Sequence, residues 1–180
     1  RVGADFLKKV SPNARVLISD PSWENHRALF TQAGFTVGTY RYYDAANRGI
    51  NFAGFLADLQ AAPAETIVVL HACCHNPTGY DITPAQWDEV VQVVKSRKLT
   101  AFLDMAYQGF GHGIAEDGAV VGKFVAAGVN FFVSTSFSKS FSLYGERVGA
   151  LSVVCQSKEE AGRVLSQLKI AIRTNYSNPP

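Results

Sequence analysis

Cysteine is scarce in this sequence, and long apolar runs are missing. The 180 residues contain three cysteines, and the adjacent pair Cys73 and Cys74 does not have the C-x-x-C spacing of metal or redox sites. Three cysteines are too few for a disulfide scaffold, so reduced thiols in a cytoplasmic protein are expected. No apolar run approaches the roughly 20 residues that a transmembrane helix needs. We therefore expect no membrane partner.

An excess of charge of one sign is also missing. The chain has 17 basic and 15 acidic residues, which gives a net charge of +2. No basic stripe accompanies this charge, so nucleic acid is not an expected partner. Apolar residues make up 47% of the chain and charged residues 18%, as in ordinary globular proteins. The chain starts at Arg1 and ends in the loop-like "NYSNPP", and we expect it to be a piece of a longer protein.

Short apolar runs rich in β-branched residues alternate with helical patterns along the chain. Strands that alternate with helices need crossover connections, which produce a mostly parallel sheet flanked by helices. The predicted strands are 15–19, 36–40, 66–71, 100–104, 131–135 and 150–155. The sequence therefore predicts an α/β fold without an internal repeat or linker.

Two of the predicted helices have clear start signals. Thr83 is followed by Pro84 and Gln86, which forms a capping box, and Ser157 with Glu160 repeats the pattern. Weaker patterns predict helices at 24–33, 52–59 and 118–127. In the helix that begins after Ser157, one apolar face is expected to contain Ala161, Val164, Leu165, Leu168 and Ile172.

Polar side chains follow three of the predicted strands at the point where each strand ends. "TIVVL" precedes "HACCHNPTG", "AFL" precedes "DMAYQGFGHG", and "FFVST" precedes "SFSKSFSLYGER". The carboxyl ends of parallel strands meet at one edge of a sheet, where ligands bind in such folds. We therefore expect these side chains to form one site. They are His71, Asn76, Asp104, Tyr107, Ser136, Ser138, Lys139 and Arg147.

Each of these side chains alone has an ordinary structural explanation, but their combined chemistry points to one cofactor. A lysine in desolvated, cationic surroundings can form a Schiff base with a carbonyl. An arginine guanidinium and serine hydroxyls can together hydrogen-bond the oxygens of a phosphate. A carboxylate can keep a pyridine nitrogen protonated, and a tyrosine can donate to a phenolate oxygen. Aldehyde, phosphate, pyridinium and phenolate occur together in pyridoxal 5′-phosphate.

The segments "HNPTG", "DMAYQGFG" and "SFSKSFSLYGERVG", in this order, resemble the class I (fold-type I) aminotransferases that use pyridoxal phosphate, in the aspartate and aromatic-amino-acid group. The resemblance extends from "SDPSWENH" to "RTNYSNPP", and the residues in these segments are most similar to those of bacterial aromatic-amino-acid (tyrosine) members. It implies transamination between an aromatic or dicarboxylic amino acid and 2-oxoglutarate. It also implies a cytoplasmic homodimer.

The resemblance implies three catalytic residues. Lys139 would form the Schiff base and carry the proton between the substrate α-carbon and the cofactor C4′. Asp104 would pair with the ring nitrogen, and Tyr107 would hydrogen-bond the cofactor O3′. Asn76 would also reach O3′ and orient the substrate carboxylate.

The other implied contacts surround these residues. Ser136, Ser138 and Arg147 would hold the phosphate, and Trp23 would stack on the pyridine ring and contact substrate. Arg173 would reach across the dimer to a dicarboxylate side chain. No metal is implied.

The resemblance further implies that His26 and His71 support Asp104 and the cofactor ring from behind the residues that contact the cofactor. The peptide bonds before Pro21 and Pro77 are expected to be cis, which would aim the neighbouring site residues.

By the same resemblance, residues 1–180 are the central part of a large, cofactor-binding domain. The family's N-terminal segment, its glycine-threonine phosphate loop and its C-terminal small domain would lie outside this sequence. The activity would belong to the full-length parent, and this piece alone would be inactive.

Two alternatives concern the same scaffold. The first is aspartate aminotransferase proper, which Arg173 does not separate from the aromatic enzymes because both retain this arginine. The second is a non-catalytic domain that retains the fold. Loss of Lys139, Asp104 or Tyr107 would support it, and all three are present.

Two further alternatives belong to other classes of protein. A zinc site could use His71, Cys73, Cys74 and His75, but this run lacks tetrahedral ligand spacing. A nucleotide-binding dehydrogenase would need G-x-G-x-x-G, and "GFGHG" at 109–113 does not have this order.

Overall fold

The computed structural model describes residues 1–175, and a six-stranded sheet forms their centre. The strands are β1 (Arg15–Asp20), β2 (Thr36–Arg41), β3 (Tyr43–Asp44), β4 (Gly49–Ile50), β5 (Ile67–His71), β6 (Thr100–Met105), β7 (Phe131–Ser136) and β8 (Gly149–Val154). The order in the main sheet is β2-β1-β5-β6-β7-β8, and β3 and β4 form a separate antiparallel pair. All six predicted strands are confirmed to within one residue at each end.

The direction of the strands confirms the predicted mostly parallel sheet. The first five strands in the spatial order pair in parallel, and only β8 runs antiparallel to its neighbour β7. After β1 the chain moves to β2 on one side, and it later returns to β5 on the other. The carboxyl ends of β1 and β5 therefore flank a topological switch point, where ligands bind in open α/β sheets.

Helices cover both faces of the sheet. They are α1 (Val2–Val10), α2 (Glu24–Gln32), α3 (Phe52–Ala61), α4 (Pro84–Ser96), α5 (Ile114–Ala127) and α6 (Lys158–Asn175). Buried residues of α3, α4 and α5 form one core cluster with Val68 and Leu70, whereas those of α1, α2 and α6 cluster with Ile67 and Val69. Alternate residues of β5 thus serve opposite cores, which is why this strand is apolar throughout.

Two helix predictions were incomplete. Helix α1 was not predicted from the sequence, and the predicted start of α5 was residue 118, although the helix starts at Ile114. The N-cap of α5 is Gly113, with φ +145°, and it makes no side-chain capping bond. The start of α5 therefore lacks the hydroxyl or carboxylate signal that marks most helix N-termini.

The two predicted capping boxes have different outcomes. In α4 the box is complete, since Thr83 Oγ1 accepts from Gln86 N and Gln86 Oε1 accepts from Thr83 N. At α6, Ser157 Oγ accepts from Glu160 N, but the Glu160 carboxylate accepts from Gln156 N instead of Ser157 N. The second box was therefore only half correct.

The predicted apolar face of α6 is also only partly buried. Leu168 is buried, whereas Leu165 and Ile172 are 51% and 42% exposed. Within residues 1–175, no helix has both the length and the apolar character needed to cross a membrane.

Candidate active site

Three neighbouring strands place polar residues side by side at the carboxyl edge of the sheet. His71 of β5 is in register with Asp104 of β6, which is in register with Ser134 of β7. Ser134 Oγ donates to Asp104 Oδ1 over 3.1 Å. Asp104 therefore occupies the middle of this edge.

A histidine from α2 holds the second oxygen of this carboxylate. His26 Nε2 lies 2.7 Å from Asp104 Oδ2, and His26 Nδ1 lies 3.0 Å from Ser22 Oγ. The His26 side chain is buried in the first turn of α2, directly after the segment that carries Trp23. The contact thus links the loop after β1 to the end of β6.

The charge state of Asp104 follows from these contacts. Burial acts to raise the pKa of Asp104, but the hydrogen bond and charge of His26, with further contributions from His71 and Ser134, outweigh burial and lower this pKa. Asp104 is therefore ionised at neutral pH and can pair with a cationic group in the pocket.

His71 lies between two other imidazoles. Its ring centroid is 4.9 Å from that of His26 and 4.2 Å from that of His75. Burial, followed by the charge of His26, lowers the pKa of His71, so the ring is neutral at neutral pH. Both ring nitrogens are buried, and within residues 1–175 neither has a hydrogen-bond partner. A buried polar atom of this kind normally binds a ligand or water.

A pocket at this edge brings together most of the predicted site residues. Its lining residues are Trp23, His71, Asn76, Asp104, Ala106, Tyr107, Ser136, Ser138, Lys139, Tyr144 and Arg147. Lys139 Nζ lies 4.5 Å from the centroid of the Tyr107 ring and 5.6 Å from that of Tyr144. Lys139 Nζ therefore faces two aromatic rings at cation–π distance.

Serine and arginine form the other end of the pocket. Ser138 is buried, and its backbone N–H donates to Ser136 Oγ over 3.2 Å. Arg147 has a left-handed backbone (φ +55°), and its Nη1 donates to the Tyr144 carbonyl. Among the described residues this is the only hydrogen bond of the guanidinium, which has five N–H donors. The group can therefore bind an anion in the pocket.

Two cis peptide bonds precede the prolines at which they were predicted. They are Asp20–Pro21 and Asn76–Pro77. The first lies in the loop that carries Trp23, which is 39% exposed, and the second follows Asn76 directly. Both predictions of cis geometry are confirmed.

The remaining predictions fall outside the pocket. Arg173 lies in the last turn of α6, is exposed, and does not line the pocket. The four residues considered as zinc ligands do not form one cluster within the described part of the chain, although His71 and His75 are neighbours. Cys73 and Cys74 approach Asp117, whereas His71 approaches His26 and Asp104.

Several pocket contacts were not predicted from the sequence. Tyr144 faces both Lys139 and Arg147, and Ser134 binds Asp104. Ser134 could have been found by aligning the ends of the predicted strands. Tyr144 had no such signal, because an aromatic ring in an irregular segment looks the same whether it faces a pocket or solvent.

Comparison with known proteins identifies the class to which this fold and site belong. The family model for aminotransferases of class I and II matches residues 1–180. The chain therefore belongs to the class I and II aminotransferase family.

Individual relatives carry related names. The chain is 65% identical to an aspartate aminotransferase from Pseudomonas aeruginosa and 59% identical to a tyrosine aminotransferase from Klebsiella pneumoniae, in each case over 100% of this chain and 45% of the relative. Its structure is similar to that of an aromatic-amino-acid aminotransferase from Burkholderia pseudomallei that is covalently bound to pyridoxal phosphate. That match has a TM-score of 0.98 and 66% identity, over 99% of this chain and 45% of the other. The chain thus spans less than half the length of these relatives.

Proposed function

We propose that this chain is the central part of the large, cofactor-binding domain of a pyridoxal-phosphate-dependent aminotransferase. The full-length enzyme exchanges the amino group between an aromatic or dicarboxylic amino acid and 2-oxoglutarate. The observation that carries this proposal is the ionised Asp104, held by His26 and Ser134 in the pocket that Lys139 also lines. Family membership and the pyridoxal phosphate bound covalently to the similar Burkholderia protein support the choice of cofactor.

The residues present fit this cofactor. The pocket contains an amine, a carboxylate, a phenol, an amide and, at the other end, serine hydroxyls with a guanidinium. His71 adds an imidazole whose buried nitrogens have no partner within residues 1–175. When bound, pyridoxal phosphate supplies an electron-withdrawing ring that stabilises negative charge at the substrate α-carbon.

Each protein group then has a defined task. Asp104 would keep the pyridine nitrogen protonated, and His26, which contacts Asp104 Oδ2, orients this carboxylate. Lys139 would hold the cofactor through its aldehyde, and the free Lys139 amine would carry the proton between the substrate α-carbon and C4′.

The remaining polar groups orient the cofactor and the substrate. The Tyr107 hydroxyl would donate to O3′, and the Asn76 amide would reach O3′ and the substrate carboxylate. Ser136, Ser138 and Arg147 would hold the phosphate through charge-assisted hydrogen bonds, and Trp23 would stack on the ring.

The enzyme is proposed to be a cytoplasmic homodimer. Four exposed apolar residues follow Lys139, namely Phe141, Leu143, Tyr144 and Val148, and a subunit interface would cover them. Arg173 is exposed at the end of α6, as a residue that serves the neighbouring subunit's site would be.

Chemical labelling tests this function. The full-length protein is incubated with pyridoxal phosphate, reduced with borohydride, and digested for peptide mass analysis. We expect a visible absorption band before reduction and the pyridoxyl label on Lys139. Lys123→Ala is the control. It removes a lysine of α5 that pairs with Asp88 and should leave the labelling of Lys139 unchanged. Absence of both band and label would instead support a non-catalytic domain that retains the scaffold.

Aspartate aminotransferase proper is the second candidate. The 65% identity to the Pseudomonas aeruginosa aspartate aminotransferase favours it. The ratio of kcat/KM for tyrosine and aspartate, measured with 2-oxoglutarate, separates the two candidates. A ratio well below one would favour the aspartate enzyme.

A further inference from the structure

A buried carboxylate outside the pocket binds the loop that follows Tyr107. Asp117 is in the first turns of α5 and is 6% exposed. It borders a second cavity, of about 390 Å³, that shares no lining residue with the pocket. The proposed reaction gives no task to this residue, although a buried charge is costly unless it is well paired.

Three backbone N–H groups of one loop satisfy this carboxylate. Asp117 Oδ2 accepts from Gly109 N over 2.8 Å and from Gly111 N over 2.9 Å, and Oδ1 accepts from His112 N over 2.9 Å. Burial alone raises the pKa of Asp117, but these three donors outweigh it and lower the pKa. The carboxylate is therefore a fixed anion around which the loop backbone is wrapped.

The fit around this carboxylate is close enough to restrict the loop sequence. A Cβ on Gly111 would lie 2.6 Å from Asp117 Oδ1, which is shorter than van der Waals contact allows. Gly109 has φ +94°, a conformation that only glycine adopts without strain. Both glycines are therefore required by the way in which the loop wraps around Asp117.

Asp81 holds the neighbouring loop in the same manner. Its Oδ2 accepts from Cys74 N over 2.6 Å and its Oδ1 from His75 N over 2.8 Å, directly before Asn76. Cys74 Sγ also lies 3.7 Å from the Tyr107 carbonyl, so the two loops touch. Asp81 borders the same cavity as Asp117. Two carboxylates thus hold the loops of Asn76 and Tyr107 from behind.

We propose that Asp117 is a positioning residue for Tyr107, and that Asp81 has the equivalent role for Asn76. This inference rests on the proposed function, because it assigns these residues to the geometry of the cofactor O3′ contacts. Asp117 fixes the three amides after Tyr107, so that the phenol is held ready to donate to O3′. Preorganised donors of this kind do not need to be ordered when the ligand binds.

The test compares Asp117→Asn with Glu116→Gln in the full-length protein. Asparagine has nearly the same shape, but half of its amide is a donor that cannot accept the loop N–H groups. Glu116 is the matched control because it is exposed, borders the same cavity and precedes Asp117 directly. The readouts are the amide hydrogen exchange of the 107–113 peptide without cofactor and the pH midpoint of the visible absorption change with pyridoxal phosphate bound.

We expect about tenfold faster exchange in this peptide for Asp117→Asn, since a hydrogen bond to a charged acceptor is lost. The absorption midpoint should rise by roughly one pH unit, because a misplaced Tyr107 no longer stabilises the anionic oxygen. Glu116→Gln should match the wild type in both measurements. For Asp81→Asn, exchange should increase in the 73–79 peptide instead.

The outcomes separate this inference from the proposed function. A wild-type protein that binds no pyridoxal phosphate would refute the function, while the exchange data would still report on the loop. A folded Asp117→Asn protein with faster exchange and an unchanged midpoint would overturn the positioning role, as would wild-type values of both. If Asp117→Asn does not fold, Gly111→Ala can replace it, because the added methyl group displaces the Asp117 carboxylate without a change of charge. Gly111→Ala should then raise the absorption midpoint, and an unchanged midpoint in this variant would also overturn the proposal.

Discussion

His75 stacks on Tyr42, with ring centroids 4.0 Å apart and ring planes inclined by 13°. The imidazole also joins two loops of the pocket, because Nε2 lies 2.9 Å from Ser19 Oγ at the end of β1 and Nδ1 lies 2.9 Å from Thr78 Oγ1 beyond Asn76. Burial, with smaller contributions from neighbouring histidines, lowers the pKa of His75 to about 3. The ring is therefore neutral and takes part in packing.

The first prediction is a loss of stability in acid that depends on His75. Between pH 6.5 and about 3, the unfolded chain binds a proton at this position and the folded chain does not. The free energy of unfolding should therefore fall as the pH decreases through this window, by about 1.4 kcal/mol per pH unit from this one group. Urea unfolding of full-length His75→Gln at pH 4, 5, 6 and 7 should show a pH slope smaller by one proton. The control is His112→Gln, which alters an exposed histidine and should keep the pH slope of the wild type. If His75→Gln also kept the wild-type slope, the lowered pKa of His75 would be wrong.

The second prediction concerns Asp104. Asp104→Asn removes the negative charge that pairs with the pyridine nitrogen, while the shape of the side chain is retained. We expect kcat to fall by roughly 10² to 10⁴-fold, as is typical when a group that controls a proton is lost. The exposed carboxylate of Asp88 is the control, since it pairs with Lys123 on the surface, and Asp88→Asn should keep wild-type kcat. Equal kcat values of the two variants would show that the charge of Asp104 has no part in catalysis.

The third prediction is that Arg147 binds the phosphate of the cofactor and not its ring. Arg147→Gln should raise the dissociation constant of pyridoxal phosphate at least about tenfold, because a charged hydrogen bond to phosphate is worth roughly 1.5–3 kcal/mol. The dissociation constant of pyridoxal, which has no phosphate, should not change. Fluorescence titration of the apoprotein measures both. Arg163→Gln alters an exposed arginine of α6 and should change neither; a parallel loss of affinity for both ligands would argue for a general structural role of Arg147.

The fourth prediction tests the complete capping box of α4. Thr83→Ala removes the hydroxyl that accepts from Gln86 N and should lower the free energy of unfolding by about 1 kcal/mol. Thr174→Ala removes a hydroxyl near the exposed end of α6 and should change it by less than about 0.5 kcal/mol. Urea midpoints of the full-length variants measure both changes. A similar midpoint for the two variants would show that this cap contributes little.

The sheet could be predicted from the sequence because each strand has a local signal of apolar, β-branched residues. The same holds for α4, in which threonine, proline and glutamine occur in the order of a capping box. Helix α1 lacks such a signal, since its N-cap is Arg1, which makes no side-chain capping bond. Strands β3 and β4 are each only two residues long, so no periodicity could reveal them.

The candidate site shows a similar division. Residues at strand ends, such as Asp104, could be predicted because parallel strands bring their carboxyl ends together. The three amides around Asp117 could not, because each is a backbone group that every residue has. The exposure of Leu165 on α6 was also unpredictable, since helical periodicity identifies an apolar face but does not show how much of it other elements cover.

The antiparallel strand β8 has a consequence for the segment that carries Lys139 and Arg147. Ser136 at the end of β7 pairs with Gly149 at the start of β8, and Phe137 N donates to the Val148 carbonyl. Residues 137–148 therefore leave and re-enter the sheet at adjacent points, and a Cβ on Gly149 would come within 2.7 Å of the Thr135 carbonyl oxygen. The pairing of β7 with β8 therefore fixes both ends of the segment, so that sequence changes between residues 138 and 147 are expected to leave the register of these two strands unchanged.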